Sequence, residues 1–186
     1  FDLIVCQLKY INKNPNKKNN LFLDRDGVIN KIILRNDQIS SPRSLDEFSF
    51  NIGIEVFSNL YIKNNYNLII ITNQPDIERN IINLNFIEQV NNKIFKLIDY
   101  NIMYICPCTI ESNCSCRKPK TGMIDSYFKE FGRGEKNFYI GDQESDLICA
   151  NAAYVKFILK NQEYNKNIQD LSDYVITDLT EILDII

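Results

Sequence analysis

Short apolar runs recur along the chain, separated by stretches in which apolar residues return every three or four positions. Leu21-Phe22-Leu23, residues 67–71, 102–105, 138–140, 155–159 and 174–176 read as buried strands. Ile54, Phe57 and Leu60 predict a helix over residues 52–64, closed by Asn65 as a C-terminal cap. Ile87, Val90, Ile94 and Leu97 mark a second helix. Residues 121–131, 145–153 and 179–186 read as three more, with Gly132 and Gly134 beyond the end of the first. Residues 1–11 are apolar enough for a strand, either at a sheet edge or as a remnant of a longer chain, and residues 12–20 form a polar connection. Residues 30–50, with Pro42, read as irregular; that length is unusual for a simple connection and points to a role in shaping a site. Strands alternating with helices predict an α/β, Rossmann-like three-layer sandwich with a mainly parallel sheet. Its domain is expected over residues 21–186, preceded by a segment, 1–20, of unassigned role.

The strands end in chemistry. The first runs into Asp24-Arg25-Asp26-Gly27, the second into Thr72-Asn73-Gln74, the third feeds a segment that closes in Arg117-Lys118-Pro119, and the fourth ends in Gly141-Asp142 with Asp146 one helical turn on. Taken alone, Asp-x-Asp-Gly is as well explained by a turn, and Asp146 by an acid at a helix N-terminus. In a parallel sheet these ends share one rim, where open α/β folds place their sites. Carboxylates, a hydroxyl and two cations there suit phosphoryl transfer. Asp24 and Asp142 offer oxygen ligands for Mg²⁺. Lys118 and the Thr72 hydroxyl can neutralise phosphoryl oxygens. Asp24 can attack phosphorus, and Asp26 can serve as acid and then base.

Composition narrows the field. The 186 residues suffice for a buried core, the net charge of −3 gives no basic footprint for nucleic acid, and the apolar runs fall short of a membrane span. There is no histidine, which removes histidine-dependent triads and histidine-ligated metals. Four of six cysteines fall between Cys106 and Cys116; such crowding fits a metal better than disulfides and argues for a reducing cytoplasm. Cys6 and Cys149 read as small buried residues. The chain opens on Phe1, a start that reads as processed or truncated, without a basic-then-apolar signal pattern.

The segments Leu23-Asp24-Arg25-Asp26-Gly27-Val28-Ile29-Asn30, Ile71-Thr72-Asn73-Gln74, Cys116-Arg117-Lys118-Pro119-Lys120-x-Gly122-Met123 and Ile140-Gly141-Asp142-x-x-x-Asp146 together resemble the haloacid dehalogenase superfamily. More narrowly, they are similar to its zinc-loop branch of heptose-bisphosphate 7-phosphatases and histidinol-phosphate phosphatases. The resemblance implies a Mg²⁺-dependent phosphomonoesterase working through an aspartyl phosphate. It makes Asp24 the nucleophile and a metal ligand. Asp26 becomes the acid/base, its backbone carbonyl also reaching the metal. Thr72 and Lys118 become the phosphoryl clamp, Asp142 a metal ligand, and Asp146 its support. Asn73, Gln74, Arg79 and Arg117 would contact the substrate. Cys106, Cys108, Cys114 and Cys116 would form a closed, structural Zn²⁺ site, with Cys108 where that branch carries a histidine. No large insertion follows Asp26 or Thr72, which implies no cap domain and an open site.

Pro75, Asp76 and Asn80 depart from the branch, which has a serine at the first position and glycine at or near the other two; Asn tolerates left-handed backbone. The leading substrate is D-glycero-D-manno-heptose 1,7-bisphosphate or a related sugar phosphate, with histidinol phosphate the alternative. The non-enzymatic alternative is a degenerate fold kept as a binding module or as part of a longer polypeptide. The expected partner is a small phosphorylated substrate, with neither nucleic acid nor membrane, for a monomer or small homo-oligomer.

Overall fold

A computed structural model describes residues 7–186. Seven strands form one sheet in the order β1-β6-β5-β2-β7-β8-β9. They are β1 (Leu8–Ile11), β2 (Asn19–Leu23), β5 (Tyr66–Asn73), β6 (Ile102–Cys106), β7 (Asn137–Gly141), β8 (Lys156–Lys160) and β9 (Tyr174–Ile176). Every pairing is parallel except that of β1 with β6. Two short antiparallel strands, β3 (Ile33–Arg35) and β4 (Gln38–Ser40), stand apart as a hairpin.

The central strands are apolar on both faces because both are covered. Successive residues alternate between two cores. Leu21, Leu23, Leu68, Ile70 and Ile140 point to one side, against Ile87, Val90 and Ile94 of α2 (Leu84–Ile98) and against Leu179 and Ile182. Phe22, Ile69, Ile71 and Tyr139 point to the other, against Met123, Ile124 and Tyr127 of α3 (Gly122–Phe131) and Leu147 and Ala150 of α4 (Glu144–Ala152). The chain leaves β2 toward β5 and β6, then returns to lay β7, β8 and β9 on the far side of β2. The connections after β2 and β7 therefore diverge, and a crevice opens between the carboxyl ends of these neighbours.

Several elements differ from the pattern expectation. The helix over residues 52–64 is two pieces: a 3-10 turn, Ile54–Ser58, and α1, Leu60–Asn65. Asn59 divides them, its extended backbone interrupting the helix while its side chain accepts from Tyr61 N. Asn65 is the last helical residue rather than the cap, a place taken by extended Tyr66. The irregular stretch over 30–50 contains the β3–β4 hairpin. The terminal helix is a 3-10 segment, Leu179–Asp184, and a second one, Glu163–Leu171, precedes β9. The strand expected over residues 1–11 is seen as Leu8–Ile11; its remainder and Cys6 lie outside the described residues. Among the described residues, no helix is long and apolar enough to cross a membrane.

Buried Asn67 ties the connection before β2 to the sheet. Its Oδ1 accepts from Asn16 N at 2.9 Å and Lys17 N at 3.0 Å, and its Nδ2 donates to Lys17 O at 2.9 Å. Asn67→Ala strands these backbone groups and should cost about 2–3 kcal/mol. Urea unfolding would read this as a lower midpoint at unchanged slope; an unchanged midpoint would refute the tie.

Candidate functional site

The crevice is lined by the ends of four strands. Asp24 follows β2, Thr72 and Asn73 end β5, Lys118 stands beyond β6, and Asp142 follows β7. Neighbouring strands fix Asp24: its N–H donates to Ile140 O of β7 at 2.9 Å. Lys118 is buried, and its ammonium donates to Asp24 Oδ1 at 2.6 Å and pairs with Asp146 Oδ1 at 2.7 Å. The Tyr139 hydroxyl, 3.0 Å from the same ammonium, donates to Asp146 Oδ1 at 2.8 Å. Oxygen atoms of Asp24, Asp142 and Asp146 lie within 4.8 Å of one another.

Asp146 sits in the first turn of α4, and its Oδ2 accepts from the backbone N–H groups of Asp142 and Gln143 at 3.2 and 3.0 Å. It is both the helix-end acid and part of the buried cluster. Asp142 Oδ2 accepts from Gln143 Nε2 at 3.2 Å and from the Tyr164 hydroxyl, whereas its Oδ1 is buried with no partner. Two close approaches require glycine. A Cβ on Gly27 (φ +97°) would fall 2.0 Å from Asp142 Oδ2, and one on Gly141 2.4 Å from Asp146 Cβ.

Asp26 faces a different set of groups. Its carboxylate takes Arg25 Nη2 at 3.0 Å, Asn30 Nδ2 at 2.9 Å, the Ser41 hydroxyl at 2.9 Å and Gln74 Nε2 at 2.6 Å. The two acids consequently diverge. Burial lifts Asp24 well above the usual carboxylate range, with Lys118 opposing and Asp146 and Asp142 reinforcing. Burial likewise works against ionisation of Asp26, but the Arg25 charge and the hydrogen bonds outweigh it and hold Asp26 below that range. Burial, then Asp146, pushes Asp142 up to about 7.

The resulting cleft of about 220 Å³ is lined by Asp24, Asp26, Thr72, Asn73, Pro75, Arg117, Lys118 and Asp146, and by Ile39, Ser40 and Ser41 from the hairpin. Thr72 lies within β5, and its hydroxyl accepts from Gln74 Nε2 at 2.9 Å. Gln74 is fully buried beneath the cleft, where it braces Asp26 and Thr72. Asn73 clasps the backbone of Lys118 through both N–H and C=O, each at 3.1 Å. Arg117 lines the rim and donates to Cys108 O at 2.9 Å. Arg79 is not brought to the cleft lining, contrary to expectation: it turns onto Asp76, 3.1 Å away. Tyr139, Tyr164 and Ser41 carry no sequence signal of their own, since each reaches the site only through strand order or a long connection.

The loop after β6 gathers the Sγ atoms of Cys106, Cys108, Cys114 and Cys116 within 4.8 Å of one another. Cys106 and Cys116 approach to 3.1 Å, and the Cys106 thiol is lowered to about 6, chiefly by hydrogen bonding with Cys116 against the opposing effect of burial. Cys149 is buried elsewhere, against Lys120 O at 3.4 Å.

Residues 23–179 match the family model described as polynucleotide kinase 3 phosphatase. The chain is 37% identical over 150 residues, 77% of its length and 82% of the relative's, to D-glycero-beta-D-manno-heptose-1,7-bisphosphate 7-phosphatase of Helicobacter pylori. It is 34% identical over 160 residues, covering 77% and 83%, to D-glycero-alpha-D-manno-heptose-1,7-bisphosphate 7-phosphatase of Campylobacter jejuni. Its fold is similar to the crystal structure of the D,D-heptose 1,7-bisphosphate phosphatase from B. bronchiseptica complexed with magnesium and phosphate. The TM-score is 0.72 at 20% identity, covering 89% of this chain and 96% of the other.

The packing of Gly27 on Asp142 is testable against Gly132, whose φ is also positive (+82°) but which has open space around it. Gly132→Ala should cost about 1 kcal/mol and Gly27→Ala at least about 2 kcal/mol more. Equal shifts in their urea midpoints would contradict the contact.

Proposed function

The chain belongs to the polynucleotide kinase 3 phosphatase family, whose members include phosphatases of the haloacid dehalogenase type, and from that premise we propose that it removes the 7-phosphate of D-glycero-D-manno-heptose 1,7-bisphosphate by way of a phosphoryl group on Asp24. That the chain is a phosphatase follows from its relatives; the substrate and the roles of its residues are our reading. The observation that carries it is the buried Lys118 ammonium, held 2.6 Å from Asp24 Oδ1 in a cleft that also contains Asp26.

In this reading Lys118 and the Thr72 hydroxyl grip phosphoryl oxygens, and Asp24 attacks phosphorus as the bond to the leaving oxygen breaks. Asp26, ionised in the open cleft, receives a proton from an ester arriving as its monoanion and delivers it to the leaving oxygen. Asp26 then takes a proton from water, which attacks phosphorus as the bond to Asp24 breaks, and passes that proton to the departing phosphate, so that both carboxylates return to their starting state. Arg117 on the rim suits a second anionic group such as the 1-phosphate, whereas a cationic leaving group of the histidinol kind would meet it unfavourably.

The donor set fits a hard divalent cation. Arg25 and Lys118 face four carboxylates, Asp24, Asp26, Asp142 and Asp146, and Asp142 Oδ1 is orphaned. Asp24 and Asp142, with the backbone carbonyl of Asp26, would hold Mg²⁺, which when bound supplies positive charge for the transferred phosphoryl group. The four thiols likewise fit tetrahedral Zn²⁺, whose Zn–S bonds of about 2.3 Å put sulfurs somewhat under 4 Å apart. Zinc there would brace the loop carrying Arg117 and Lys118.

Two outcomes are expected. Phosphate release from heptose 1,7-bisphosphate, both anomers and histidinol phosphate being assayed alongside, should require Mg²⁺ and fall at least about 10³-fold in Asp24→Asn. Turnover surviving in that variant would remove Asp24 from the chemistry, and preference for histidinol phosphate would overturn the substrate. Elemental analysis should find one zinc per chain, lost in Cys108→Ser together with a fall in Tm of about 5 °C or more. Protein that is folded and zinc-free when purified without chelator would refute the metal site.

A further inference from the structure

Loop 74–82, which departs from the related branch at Pro75, Asp76 and Asn80, is wound on itself. Ile77 N donates to Gln74 O at 3.1 Å, Arg79 N to Pro75 O at 3.1 Å, and Ile81 N and Ile82 N to Asp76 O at 2.9 and 3.2 Å. Asn80 takes the left-handed turn at φ +57°. On this mount the Asp76 side chain is buried, yet it reaches the segment that follows β4: Arg43 Nε donates to its Oδ2 at 2.7 Å. Its other oxygen takes Arg79 Nη1 from the same loop at 3.1 Å.

Arg43 is the root of a relay that ends in the cleft. Its backbone N–H donates to Glu47 Oε2 at 2.7 Å, and Glu47 in turn pairs with Arg35 of β3. Arg35 Nη1 donates to Ser40 Oγ and Ser41 O, each at 2.8 Å, and the Ser41 hydroxyl donates to Asp26 at 2.9 Å. Ile39, Ser40 and Ser41 wall the cleft. From the other side of the same loop, Glu78 accepts from Thr109 N and from Ser112 Oγ at 2.6 Å in the cysteine loop. One short loop therefore holds both walls of an otherwise open site.

We infer that Asp76 is a positioning residue for substrate binding: through its ion pair with Arg43, three residues past β4, it holds the base of the β3–β4 hairpin and sets the grip on the sugar behind the reacting phosphate. This rests on the phosphatase reading of the cleft. Asp76 makes no hydrogen bond or ion pair with Asp24 or Lys118 and reaches Asp26 only through Arg43, Glu47, Arg35 and Ser41, while Arg25, Asn30 and Gln74 hold Asp26 directly, so its effect falls on the hairpin and hence on KM. Arg79 supplies the internal comparison, because it shares the Asp76 carboxylate but lies on the loop itself, not on the segment joined to the hairpin.

Hydrogen–deuterium exchange over residues 33–43 tests the clasp without reference to turnover. Asp76→Asn and Arg43→Gln should each speed exchange there about tenfold, the double variant no further, and Arg79→Gln less than about twofold, with β2 and β5 unchanged throughout. With heptose bisphosphate, the first two variants should raise KM about tenfold with kcat held within about twofold, and Asp76→Glu should recover most of the loss. Unchanged exchange in Asp76→Asn, Arg79→Gln matching Arg43→Gln, or a fall in kcat at constant KM would each overturn the clasp. If Asp76→Asn does not fold, Arg43→Gln, altered at a partly exposed side chain, decides the question. Failure of the wild-type chain to turn over heptose bisphosphate would remove that substrate, and exchange would still decide the clasp.

Discussion

A buried ammonium between carboxylates governs the crevice. Lys118 is withdrawn from water and held 2.6 Å from Asp24 and 2.7 Å from Asp146, so each charge is tolerable only because the others are present. Removing one partner from such a group typically costs about 3–5 kcal/mol. The segment that carries Lys118 therefore has to be placed accurately, and three devices do so: the Asn73 clasp on its backbone, the Tyr139 hydroxyl, and the thiol cluster immediately before it. The balance is also incomplete. Carboxylates outnumber the two cations that face them, and burial pushes Asp142 up to about 7.

The sheet turns this local constraint into a geometry. Because β7 lies directly against β2, Asp142 falls beside Asp24; Gly27 leaves room for the Asp142 carboxylate, and Gly141 for the Asp146 side chain. Because β5 lies on the other flank of β2, Thr72 and Asn73 face the same opening. Asp24 and Asp26, two residues apart, are thereby given opposite surroundings, one buried among acids and the other hydrogen-bonded and paired with Arg25. Divergent environments for neighbouring acids are what a division of roles demands.

The sequence made the parallel core legible because its central strands are apolar on both faces, and it placed the chemistry at their ends because each run stops abruptly in polar residues. The β3–β4 hairpin is not legible for the opposite reason: Leu34 and Ile39 are exposed, at 64% and 39%, and none of its apolar side chains is fully buried, so no inward-facing pattern exists to be read. The break at Asn59 was hidden because apolar spacing continues across it. Tyr139 reads as one more aromatic of a buried strand, and only the adjacency of β7 and β2 reveals its place beside Lys118. Asp76 is conspicuous in the sequence, but its partner Arg43 stands 33 positions earlier, and no local rule connects them. The resemblance implies a substrate contact for Arg79, and in the structure its guanidinium pairs with Asp76, a partner three positions away whose burial no local pattern announces.

The central claim is that Asp24, set against Lys118, carries the phosphoryl group. Active protein mixed with substrate, quenched in acid within one turnover, reduced with borohydride and mapped by mass spectrometry tests it most directly, since reduction converts an aspartyl phosphate to homoserine. Homoserine at position 24, dependent on substrate, is the expected result. Homoserine at position 26, or none at any position in protein that is demonstrably turning over, would contradict the assignment.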